Sequence, residues 1–249
     1  MRAYKNSFTI LNILFIVVFL ASCTHIPDAN TKTTSQKEYL SKKADSLYSL
    51  GRAYSDDSLN QERALELYDQ SFKLYKEVGN RARMATLYKR IGFAYDYLED
   101  FTREKEYLKK ALKINTEIDN KIESAIILNF LGITYTITGD LDSALIFYER
   151  GLYISEITAD TAEMIDIYQN IGIAYRDAGN YEKAIDNYIK ALKYCEIMEY
   201  VTGIYDLNLN IALLFMENGD LNMALSYCNK ASEYVNKIED LRKLTNFYQ

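Results

Sequence analysis

The chain holds no tryptophan, one proline, one histidine and three cysteines in 249 residues. Each shortage excludes something. The lone histidine, His25, lies in a polar stretch near the amino terminus, with no Cys or acidic cluster spaced around it to hold a metal. A His-dependent triad on the folded body is therefore excluded. No glycine-rich phosphate loop is present. Carboxylate pairs such as Asp56-Asp57 and Glu99-Asp100 sit in turns and read as caps. No catalytic residue, metal, cofactor or small-molecule substrate is expected. Beyond Cys23 the cysteines are Cys195 and Cys228, seven residues out of phase in successive repeats, about 10 Å along a helix. Both read as small buried hydrophobes, not as a disulfide. An excess of positive charge is also missing. Lys and Arg number 29 against 35 Asp and Glu, a formal charge of −6. That balance argues against nucleic acid, which requires a basic face.

What is present is a period. Gly51, Gly92, Gly132 and Gly172 recur every 40 or 41 residues, and Ala212 continues the series. Such a period means stacked supersecondary units in place of one compact core. Around each small residue the pattern is helical. Leu50, Ile91, Leu131, Ile171 and Ile211 precede it, and Tyr54, Tyr95, Tyr135, Tyr175 and Phe215 follow three later, as on one stripe of an amphipathic helix. Glycine inside a helix costs roughly 1 kcal/mol against alanine. Its recurrence at one phase predicts close approach of a second helix. The turns Glu99-Asp100, Gly139-Asp140, Gly179-Asn180 and Gly219-Asp220 end the first helix and cap the second. A second small residue follows at Ala64, Ala144, Ala184 and Ala224, with Glu104 breaking the rule. Then come Tyr68, Leu108, Tyr148, Tyr188 and Cys228. Phase-locked positions of this kind assign most of the 23 tyrosines to packing, not to a glycan platform.

The runs Leu131-Gly132-x-x-Tyr135…Gly139-Asp140…Ala144…Tyr148…Gly151 and Ile171-Gly172-x-Ala174-Tyr175…Gly179-Asn180-Tyr181…Ala184…Tyr188…Ala191 resemble tetratricopeptide repeats (TPR). The resemblance implies an all-α fold, a right-handed α-solenoid of antiparallel helix pairs with 40-residue units. Five units are expected over 38–240, at about 40–77, 81–118, 121–158, 161–198 and 201–238, with 241–249 starting an incomplete sixth. These units lack the usual terminal proline, so the second helix is expected to run on by a turn or more. In TPR arrays the first helices line a concave groove that takes a protein or peptide partner. On this chain the matching positions are Arg90, Phe93 and Tyr97 in the second unit, then Phe130, Ile133 and Ile137 in the third. Asn170 and Ile173 follow in the fourth and Asn210 and Leu213 in the fifth. Lys89, Asn129 and Gln169 stand one residue before this row. The groove is predicted to be apolar at its middle, with asparagines able to bond a peptide backbone. The basic clamp that some TPRs use for a terminal carboxylate is not reproduced; only Lys89 and Arg90 come near it.

Residues 1–22 read as an export signal. Arg2 and Lys5 precede a short apolar run from Phe8 to Ala21, less than the roughly 20 residues of a comfortable span. Leu20-Ala21-Ser22-Cys23 then resembles the lipobox of bacterial lipoproteins. That resemblance implies cleavage before Cys23 and acylation of its thiol and amine, enough for stable membrane anchoring. Residues 23–37 are expected to form a flexible tether, and the address to be the periplasmic face of an outer membrane. The leading expectation is a membrane-anchored scaffold that binds another protein in its groove. Two others are the exported sensor half of a longer regulator and a glycan-binding lipoprotein. Mass spectrometry of the processed chain is expected to find residue 23 at the amino terminus carrying diacylglycerol and an acyl chain. Cys23→Ser is expected to move the chain from the membrane to the soluble fraction.

Overall fold

The computed structural model describes residues 29–56 and 60–238. The expected export signal, Cys23, His25, Pro27 and the expected start of a sixth unit lie outside them. Ten helices and no strand occur among the described residues. The first pair is α1 (Ala29–Ser55) and α2 (Gln61–Val78), the second α3 (Arg81–Tyr97) and α4 (Phe101–Glu117). The third is α5 (Lys121–Ile137) and α6 (Leu141–Thr158). The fourth is α7 (Thr161–Asp177) and α8 (Tyr181–Ile197), and the fifth α9 (Val201–Glu217) and α10 (Leu221–Ser232). Each first helix packs most extensively on its own second helix and less on the one before it, the contact pattern of an α-solenoid. The core is accordingly a string of four apolar clusters, each crossing a unit boundary.

The turns repeat every twenty residues. A left-handed residue stands at Gly79, Glu99, Asp119, Gly139, Ala159, Gly179, Glu199 and Gly219. The next residue caps the following helix. Asn80, Asp100, Asn120, Asp140, Asp160, Asn180 and Asp220 each accept the backbone N–H three residues on, at 3.0–3.4 Å. Of the residues that follow these eight turns, only Tyr200, ahead of α9, caps nothing with its side chain. From α3 to α9 every helix has 17 or 18 residues. The length of the unit is therefore shared by both helices, not added to the second alone. Residues 29–37, expected as part of a flexible tether, are helical instead, since α1 begins at Ala29. No breaker follows Pro27, and an exposed Lys42–Glu38 pair one turn apart belongs to this helical segment.

The glycine series has its reason in α2, α6 and α8. A Cβ on Gly51 would stand 2.7 Å from Cε1 of Tyr68, and one on Gly132 or Gly172 would overlap the ring of Tyr148 or Tyr188. All three rings are buried. Where the partner is Leu108, Gly92 has more room, 3.1 Å. Where it is Cys228, the first helix carries Ala212. The tyrosine hydroxyl then reaches one turn beyond the glycine: Tyr68 donates to Ser55 Oγ at 3.1 Å, and Tyr148 meets Thr136 Oγ1 at 3.2 Å. The other tyrosine phase stacks on the second helix as well, Tyr135 on Phe147 at 5.2 Å and Tyr95 on Tyr107 at 5.5 Å between centroids. Cys195 is buried as expected, but Cys228 is exposed, because α10 is the outermost of the described helices.

Gly132→Ala gains roughly 1 kcal/mol of helix propensity but forces a buried ring to move, and overpacking costs about 1–3 kcal/mol or more. Its urea midpoint is expected to fall, by a net of about 2 kcal/mol in stability. Gly92→Ala is expected to lie within about 1 kcal/mol of the parent chain. Adding Tyr148→Leu to Gly132→Ala should recover part of the loss.

Candidate partner-binding groove

Among the described first helices, α5 and α7 touch directly, though far less than the two helices of any hairpin. Phe93 of α3 meets Phe130 of α5, and Asn129 of α5 meets Asn170 of α7, so these first helices stand side by side along the stack and share one face. Residues two before, one after and five after each glycine fall on one stripe of that face. In α3 and α5 the stripe reads Arg90, Phe93, Tyr97 and Phe130, Ile133, Ile137. Phe93 and Phe130 touch across the unit boundary with centroids 4.5 Å apart. Tyr97 and Ile137, at the open rim, are 62% and 54% exposed. The stripe continues as half-buried Asn170 and Ile173 in α7, and half-buried Asn210 with exposed Leu213 in α9. A cleft of about 310 Å³ opens where the first two units meet, between Asp56, Asp96, Tyr97 and the two phenylalanines. Arg90 lines it, and its Nε is buried without a hydrogen-bond partner among the described residues.

One row deeper the expected groove residues serve the protein itself. Lys89 donates to Glu123 Oε2 at 2.7 Å. Asn129 is buried: its Nδ2 donates to Glu163 Oε1 at 2.9 Å and its Oδ1 accepts from Asn170 Nδ2 at 2.9 Å. Its amide is thus spent between units and does not face a partner. Gln169, the next in this row, is half-buried. Glu163 takes part because α7 starts there. Its backbone N–H is capped by Asp160, which the sequence shows, while its side chain turns inward to Asn129, which the sequence does not.

Two buried carboxyls stand out. Burial pushes Glu163 up to about 7, opposed by the Asn129 hydrogen bond and raised further by Asp166 and Asp160. Burial likewise pushes Glu104 up to about 7, against the bond donated by Thr134 Oγ1 at 2.8 Å. Its other oxygen is buried and unpartnered. Glu104 occupies the position that holds alanine in the other units, so the broken rule in the sequence marked a real anomaly.

Comparison with known proteins bears on the same helices. One family model described as "Tetratricopeptide repeat" matches residues 83–157 and 123–197, and a second with that description matches 205–234. No curated protein shows a significant match to the chain. Among solved structures, aspartyl phosphate phosphatase F from Bacillus subtilis is similar with a TM-score of 0.70 at 18% identity, over 81% of this chain and 53% of that one. BtubC from P. vanneervenii gives 0.58 at 16% identity, over 82% of this chain and 92% of that one. A STAND protein with a tetratricopeptide repeat sensor from Pyrococcus horikoshii gives 0.66 at 16% identity, over 83% of this chain and 31% of that one. At these identities the likeness is one of fold.

The two raised carboxyls fix a pH dependence. Both hold protons in the folded chain that the unfolded chain releases above its ordinary value of 4.5. Their contribution to stability is complete below about 4.5 and is lost as pH climbs through about 7. The melting temperature is expected to drop by a few degrees between pH 5 and pH 8. Glu104→Gln and Glu163→Gln should each flatten that slope and raise the melting temperature at pH 8. A slope untouched by both substitutions would contradict this assignment.

Proposed function

The chain carries tetratricopeptide repeats over 83–197 and 205–234, and from that premise we propose that it is a scaffold that takes an extended or helical segment of another protein into its inner groove. In this reading the lipidated Cys23 holds it at a bacterial membrane, on the periplasmic face of the outer one. The observation that carries the proposal is the apolar strip of Phe93, Tyr97, Phe130, Ile133 and Ile137. Tyr97 and Ile137 are more than half exposed, and the core does not need them. The packing duties of α3 and α5 are already met by Leu87, Ile91, Leu128 and Leu131, all buried. Exposed apolar side chains at Tyr97 and Ile137, continued inward by the half-buried Phe93, Phe130 and Ile133, offer an apolar surface of the kind that takes a partner segment. A segment lying there would find aromatic anchors at one end and the half-buried amides of Asn170 and Asn210 at the other. The proposed role is binding, with no chemistry assigned to any residue.

The test is capture of partners from the native host by a photo-crosslinker placed at Ile137, repeated with Phe93→Glu and Ile133→Glu. Both side chains also pack partly on core clusters, so a lower melting temperature is expected, and capture is compared under conditions where circular dichroism shows the variants folded. Yield of the specific crosslinked species is expected to fall about tenfold or more, as for loss of anchor residues. Unchanged capture by folded double variants would refute the groove as the binding surface.

A further inference from the structure

The inner stripe changes character along the stack. In α5 its four positions, spaced i, i+4, i+7 and i+11, read Ile126, Phe130, Ile133, Ile137, without a polar group. In α7 they read Asp166, Asn170, Ile173, Asp177. Forty residues on, in α9, they read Asp206, Asn210, Leu213, Glu217. The order acid, amide, aliphatic, acid is therefore written twice on neighbouring helices, and the spacing keeps each set on one face. The fold does not demand it, since the same phases hold isoleucine at both ends in α5. All four acidic residues are exposed, with Asp166's carboxyl raised above its ordinary range by partial burial and by Asp160, while Asn170, Ile173 and Asn210 are half-buried in the groove floor.

The charges are left open. Asp166, Asp206 and Glu217 enter no hydrogen bond or ion pair with the described residues. Asp177 takes Arg176 at 2.8 Å, and Arg176 also feels Glu217. Arg176 is the only Lys or Arg on α7 and α9 together. The other cation deep in the groove, Lys89, is held by Glu123. Four carboxylates thus face one guanidinium around an aliphatic centre. The amides are partly spoken for as well. Asn170 has given its Nδ2 to Asn129, which leaves its Oδ1 to accept, and Asn210 makes no hydrogen bond with the described residues.

We propose that this half of the groove selects a segment of another protein with an apolar residue at its middle and a Lys or Arg on each side. The proposal rests on the groove reading above and specifies its occupant. Eleven residues at about 1.5 Å each set the two acid rows about 16 Å apart. An extended chain covers that distance in about five residues at 3.3 Å each. A segment lying along α7 and α9 places one cation between Asp166 and Asp206 and the other beside Asp177 and Glu217. Its apolar side chain meets Ile173 and Leu213, and its backbone N–H groups meet the asparagine Oδ1 atoms. An acidic segment would be repelled at both ends, so the charge rows give selectivity as well as attraction.

The experiment selects random nine-residue peptides, displayed on phage, against the full chain. Enriched peptides are then measured by fluorescence anisotropy. The expected winners carry Lys or Arg about five residues apart around an apolar residue. Their affinity should fall about tenfold or more in the chain bearing Asp166→Asn, Asp177→Asn, Asp206→Asn and Glu217→Gln, with a reduced salt dependence. Removing the same number of charges from the exposed faces of the second helices, with Glu149→Gln, Glu156→Gln, Asp186→Asn and Glu196→Gln, should leave it within about twofold. If the winners show no basic bias, or ignore the neutralised groove yet depend on Phe93 and Ile133, the basic partner is ruled out and the groove stands. If they ignore both sets of groove substitutions, or none is enriched, the groove reading falls with it.

Discussion

The seat of a second-helix tyrosine on a first-helix glycine is the contact on which the rest of this structure depends. It brings the two backbones of a hairpin close enough for the ring to lie against bare Cα, and it uses the ring's full apolar surface inside the hairpin. Tyr68, Tyr148 and Tyr188 fill this place, and all three are buried. The alanine one turn earlier in each second helix, Ala64, Ala144 or Ala184, shows no exposure at all. Small and large residues thus alternate across the joint, which lets it reach the density of a protein interior without strain. In the second unit the smaller Leu108 leaves more room over Gly92, and in the fifth the same phases hold Ala212 and an exposed Cys228.

Because each hairpin and its neighbour supply most of the core, the inner stripe of the first helices is partly released from packing: Phe93, Phe130, Ile133 and Ile173 still touch core clusters, while Tyr97, Ile137 and Leu213 are exposed. That release explains why its residues vary so widely from unit to unit: arginine, phenylalanine, asparagine at one position; tyrosine, isoleucine, aspartate at another. It also explains the layering found there. The outer row is open and holds the partner-facing residues. The row beneath it, with Lys89, Asn129 and Glu163, ties unit to unit through hydrogen bonds of 2.7–2.9 Å. A charged group in that second row is costly unless it is paired or neutral. Glu123 is paired with Lys89, and Glu163 carries a raised value that favours its neutral form.

Much of this could be read in the residues. The glycine period gave the units, the Gly-Asp and Gly-Asn pairs gave the turns, and the phase tyrosines gave the packing partners. Glu104 was visible as a broken rule. Other features were hidden because they arise between units. Asn129 and Glu163 stand 34 residues apart, and only the approach of α5 to α7 shows that one consumes the other. The left-handed residues Ala159 and Glu199 gave no signal of their own, since nothing in their side chains favours that conformation. The helical start at Ala29 was concealed by a polar composition without amphipathic rhythm. Cys228 has the phase of a core residue but, at the last described helix, lacks the neighbour that would bury it.

The central claim is that the stack satisfies its own core and leaves the inner stripe open to solvent. The rate of thiol modification in the native chain tests this directly, with two internal references: Cys228 is exposed and Cys195 is buried. Cysteine placed at Ile137 or Leu213, positions 54% and 51% exposed, should react at a rate close to that of Cys228. Protection as strong as that of Cys195 would mean that the stripe belongs to the core, and the account would be wrong.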